Sequence, residues 1–83
     1  MLPYEKYIYL NNRGTSYYYR EDYQTAIKYF QKVIDLVEGY ADMSFELNLG
    51  RLNLGDCYLQ LNKVDLAVKY INECQLFFEE MGV

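Results

Sequence analysis

Histidine and tryptophan are both missing from these 83 residues, and proline occurs once, at Pro3. Without histidine, a Cys-His pair, a Ser-His-Asp triad and nearly all zinc sites are ruled out. No enzyme, metal or cofactor is therefore expected. The lone proline leaves residues 4–83 free of the strongest helix breaker. Cysteine is scarce: Cys57 and Cys74 are the only two. A disulfide between them is one reading, and two free, partly buried thiols acting as small hydrophobes is the expected one. No apolar run approaches the roughly 20 residues that a membrane helix needs. The opening Met1-Leu2-Pro3-Tyr4-Glu5-Lys6 lacks a charged leader followed by an apolar core, so we expect no signal peptide and a cytoplasmic location. Basic residues are few as well. Lys and Arg number 8 against 12 Asp and Glu, and the net charge of −4 repels a phosphate backbone, so no nucleic-acid partner is expected. Glu21-Asp22 and Glu79-Glu80 read as solvated helix ends rather than an acid/base pair.

Apolar residues make up 52% of the chain, enough for one small core near the lower size limit for independent folding. The chain also matches itself. At an offset of 41 residues, Glu5 aligns with Glu46, Asn12 with Asn53, Gly14 with Gly55, Tyr17 with Tyr58, Ala26 with Ala67, Lys28 with Lys69 and Tyr29 with Tyr70. Each unit reads as two helices. Tyr7, Leu10, Gly14 and Tyr17 recur at three- and four-residue steps on one face. After the break at Arg20-Glu21-Asp22, the residues Tyr23, Ala26, Ile27, Phe30, Val33, Ile34 and Val37 form a stripe of period 3.6, stopped by Gly39.

In the second unit a helix from about Asp42 to Leu61 precedes Asn62-Lys63-Val64-Asp65, where Asn62 is expected to cap and Asp65 to sit in the first turn. Val64, Ala67, Val68, Ile71, Cys74 and Phe78 continue the stripe to Gly82. Short links make consecutive helices antiparallel. The matched small residues, Gly14 with Ala26 and Gly55 with Ala67, predict close helix approach, with Tyr17 and Tyr58 filling the space beside them.

Gly14-x-x-Tyr17 followed by Tyr23-x-x-Ala26-x-x-x-Phe30-x-x-Val33 resembles the tetratricopeptide repeat signature, and Gly55-x-x-Tyr58 with Val64, Ala67, Ile71 and Cys74 resembles it again. Arg13 departs from the family's usual Leu, which Leu54 keeps. Leu10 and Arg51 stand in for its Trp-like residue, and no proline follows either second helix. The 41-residue period is similar to the long-period subset, which includes peptide-pheromone receptors and kinesin light chains. The resemblance implies an all-α fold: two tandem helix-turn-helix repeats, about 4–39 and about 42–82, forming a short right-handed solenoid. Residues 1–83 are expected to be one domain of a longer repeat protein.

The resemblance further implies an inner groove lined by each unit's first helix. Its lining would be Ile8, Asn12, Thr15 and Tyr19, flanked by Asn11 and Tyr18, with Leu49, Asn53, Asp56 and Gln60, flanked by Leu52 and Leu59. Asn offers both a donor and an acceptor, which matches a peptide group. The groove face carries Thr15 and Asp56 in place of Lys or Arg, so a ligand ending in a free carboxylate is disfavoured. The expected function is a non-catalytic module, a scaffold holding an extended protein or peptide segment. The alternative is a structural or self-association segment of a larger regulator. On the last helix Leu76, Phe77, Phe78 and Met81 spread over more than half the circumference, which predicts burial by neighbouring repeats or by another copy.

Overall fold

Pro3 opens the first helix, where its fixed φ suits the helix and its missing N–H removes no bond. The computed structural model describes residues 1–82; Val83, the end of the expected domain, lies outside them. It contains α1 (Pro3–Tyr19), α2 (Tyr23–Val37), a short 3₁₀ turn at Ala41–Met43, α3 (Ser44–Gln60) and α4 (Val64–Glu80). The second unit copies the first in register, α3 starting 41 positions after α1 and α4 41 after α2. Each helix packs on the next in the chain, α1 on α2, α2 on α3 and α3 on α4. The molecule is a slab of 32 × 30 × 19 Å. Its thin dimension is what two helix layers about 8–10 Å apart require.

Glycine sets the approach within each pair. A Cβ on Gly14 would lie 2.7 Å from the Phe30 ring, and one on Gly55 would lie 2.9 Å from Ile71 and 3.3 Å from the Ala67 carbonyl. Phe30 and Ile71 are themselves repeat counterparts, so the same contact is built twice. Ala26 and Ala67, both buried, face these glycine-bearing helices as the pattern predicts. Tyr17 stacks on Tyr29 at 5.6 Å, and their counterparts Tyr58 and Tyr70 stack at 5.7 Å.

The core falls into two clusters joined by Leu47: Tyr7, Leu10, Val33, Val37 and Met43, then Ala26, Phe30, Ile34, Leu54 and Cys57. Helix α2 lies between α1 and α3 and buries most of its stripe. The outer helix α4 buries only Ala67 and Cys74, and leaves Val64 and Val68 exposed. Arg13 departs from the family pattern for a related reason. Leu54, its counterpart, is wholly buried between α3 and α2, whereas Arg13 is exposed and rests over the rings of Tyr9 and Tyr29.

Three local expectations are corrected. Asn62 does not cap α4. It takes a left-handed φ of 59°, as Glu21 does at 62° in the equivalent turn, and Lys63 occupies the cap position. Asn tolerates this conformation, and the turn needs a reversal there. Gly39 does stand just past the end of α2 at Val37, behind the Glu38 cap, but it has no left-handed φ, and the chain runs through Tyr40 into the 3₁₀ turn. Asp42 lies in that turn, so α3 starts at Ser44. Asp65 does sit in the first turn of α4, and Gly82 adopts the left-handed φ of 77°. Both cysteines are free and buried.

Candidate functional site

The 3.6-residue period places Ile8, Thr15 and Tyr19 on one side of α1, away from Gly14 and the α2 contact. On α3 the same offset from Gly55 carries Leu49, Asp56 and Gln60. Where side chains of the first helices of the two units reach toward each other over α2, a hollow of about 120 Å³ opens. Thr15, Tyr18 and Tyr19 line it from α1, Asn53 and Asp56 line it from α3, and buried Phe30 forms its floor.

One hydrogen bond spans the units here. The Tyr18 hydroxyl donates to Asp56 Oδ2 at 2.8 Å. That bond, reinforced by desolvation, pushes the Tyr18 phenol up to about 12, so it remains a donor throughout the physiological range. Gln60 Nε2 makes a longer contact of 3.4 Å with Asp56 Oδ1. The Tyr18 ring stands edge-on to Tyr19 at 5.5 Å and to Tyr23 at 5.4 Å. Tyr19 is 78% exposed and forms an outer wall.

The remaining predicted groove residues lie outside the hollow. Ile8 and Leu52 are exposed, Leu49 is half-buried, and Asn12 is exposed. Asn11, placed beside the groove by the pattern, has a side-chain oxygen that is buried without a hydrogen-bond partner. Phe45, the repeat counterpart of Tyr4, is exposed at the start of α3.

The sequence model of the tetratricopeptide repeat matches residues 7–40, and a second model of the same repeat matches residues 50–76. The chain belongs to the tetratricopeptide repeat family. No curated protein and no solved structure matched it. Tetratricopeptide repeats mediate protein–protein interactions and are typically non-catalytic scaffolds, and the hollow lies between the first helices of these two repeats. No helix among the described residues is long and apolar enough to cross a membrane.

The four side chains predicted for self-association do not share one environment. Phe78 turns inward against Phe45 of the second repeat's first helix at 6.1 Å, and Phe77 stands edge-on to Phe78 at 5.4 Å. Both are half-buried. Leu76 and Met81 remain open, at 63% and 49% exposure. Three polar contacts were not anticipated by the pattern. Arg51 pairs with Glu73 at 3.5 Å across α3 and α4 and donates to Asn48 at 3.2 Å. Buried Asn48 in turn donates to the Ser44 carbonyl at 2.8 Å.

Proposed function

We propose that this tetratricopeptide pair is a non-catalytic binding module that holds an extended segment of a partner protein along α1 and α3. The observation that carries this reading is the hollow, which gathers Thr15, Tyr18, Tyr19, Asn53 and Asp56 from both repeats at one point. Along the same two helices Ile8, Leu52 and Leu59 are exposed apolar side chains, suited to the side chains of a docked segment. Asn12 and Asn53 recur on corresponding turns, and each can pair with both halves of a peptide group. Packed helices sit about 8–10 Å apart, or up to about twice that for alternate helices, while an extended chain advances about 3.3 Å per residue. The two asparagines would therefore grip peptide groups several residues apart. The net charge of −4 opposes a nucleic-acid partner, and free buried thiols suit the reducing cytoplasm, where we infer the protein works.

The test is selection of the immobilised chain against a library of random 12-residue peptides. Binders should emerge whose amide-shift footprint in NMR covers α1 and α3. Asn12→Ala and Asn53→Ala should each weaken such a binder severalfold, a loss of about 0.5–1.5 kcal/mol per hydrogen bond. Circular dichroism must first show both variants helical. Equal affinity for wild type and the double variant would reduce the asparagines to solvated surface.

A second surface favours self-association as an additional reading. On α2 the residues Ile27 and Ile34 are covered by α3, while their counterparts Val68 and Gln75 on α4 are exposed. With Leu76 they leave an open face that a second copy would cover.

A further inference from the structure

We propose that the hollow between the repeats receives the cationic head of a lysine or arginine side chain carried by the partner segment. This rests on the reading above of a segment bound along α1 and α3, and names the chemistry at its centre. Asp56 supplies a carboxylate whose observed partners are neutral donors, the Tyr18 hydroxyl on one oxygen and the Gln60 amide on the other. A carboxylate has about four lone-pair sites, so both oxygens keep acceptor capacity. None of the chain's 8 basic side chains lines the hollow. Arg13, Arg20, Lys32 and Lys69 instead lie over tyrosine rings, and Arg51 pairs with Glu73. Among the described residues, that pair is the only ion pair, so Asp56 has no cation of its own.

The walls match the same ligand. Tyr18 and Tyr19 present two aromatic rings at right angles beside the carboxylate, and a cation is attracted to such ring faces. The Thr15 hydroxyl and the Asn53 amide add oxygen acceptors for an ammonium or guanidinium. A hollow of about 120 Å³ suits a head group with its last methylenes rather than a whole residue. An acidic side chain would meet Asp56 as a like charge. An apolar one would cover that carboxylate and leave its charge without a counter-ion, which is costly.

The peptides selected above provide the test. Lys or Arg should be enriched at one position of the binders, and replacing it by norleucine or citrulline should weaken binding about tenfold, the loss of one charge-assisted hydrogen bond. Asp56→Asn, which keeps the shape and an acceptor for Tyr18, should weaken it similarly. Tyr19→Ala, at an exposed position, should weaken it about two- to fivefold. Asp65→Asn removes the same charge from α4 and should leave binding unchanged, which separates a local contact from general attraction to an acidic protein. Binders that footprint to α1 and α3 without a basic residue, or that ignore Asp56→Asn, overturn this inference alone. A library that yields no binder overturns the reading of a segment bound along α1 and α3 as well.

Discussion

At the scale of single residues, the repeat allows each position to be judged against its counterpart 41 residues away. Asn11 stands where the second unit has Leu52, and its carboxamide oxygen is buried without a partner. An unsatisfied buried acceptor costs about 1–3 kcal/mol. Asn11→Leu should therefore raise stability by about 1 kcal/mol, or about 4–8 °C in Tm for a domain of this size. A thermal melt with an unchanged or lower midpoint would show that the oxygen has a role in the fold. The cysteines illustrate residues that were legible from the pattern. Both were expected to be free, partly buried small hydrophobes; both are buried, and burial pushes the Cys57 thiol up to about 12, which keeps it inert. Asn11 was not legible in this way. A helical wheel gives an angle, whereas satisfaction of an amide depends on which groups the neighbouring helix brings within reach.

At the scale of helices and turns, the two units share a backbone but not its chemistry. Asp22 precedes α2 with φ −91° and ψ 72°, and its carboxylate accepts from the Thr25 N–H at 3.2 Å. Lys63 precedes α4 with φ −92° and ψ 70° and makes no side-chain cap. The geometry for a cap is present and the acceptor is absent. A cation at a helix N-terminus is also unfavourable to the dipole. Lys63→Asp should let the new carboxylate accept from the Leu66 N–H and stabilise the protein by about 0.5–2 kcal/mol. Thermal or urea melts would check this, and an unshifted midpoint would mean that the turn does not tolerate the cap. From the sequence, the run Asn62-Lys63-Val64-Asp65 located the turn to within a residue. It did not reveal that Asn62 enters the left-handed region, because Asn serves equally well as a cap and as a reversal.

At the scale of the whole molecule, the slab has two helix layers and an open outer helix. Its C-terminal face is less apolar than Leu76, Phe77, Phe78 and Met81 together suggest, since Phe78 packs on Phe45 and Phe77 on Phe78. A test of self-association should therefore avoid them. Sedimentation at micromolar concentration should give an apparent mass above the 10.0 kDa of one chain. Val68→Glu together with Leu76→Glu, both at exposed positions, should return it to that value without loss of helicity. A wild-type chain that is monomeric throughout this range overturns the idea.

The sequence by itself determined the repeat, the helix pairs and the small residues at their crossings. These follow from periodicity and from steric exclusion, and both are local or repeat-wise properties of the chain. Gly14 and Gly55 were readable because no larger residue fits against Phe30 and Ile71. Tertiary structure alone decided which outward residues meet. The stacking of one unit on the next brings Tyr18 within 2.8 Å of Asp56, 38 positions away and not its repeat counterpart. It also leaves Val64 and Val68 of a regular apolar stripe in solvent. A period reports which side of a helix is apolar. Whether another helix covers that side, and at what rotation, depends on side chains from elsewhere in the chain.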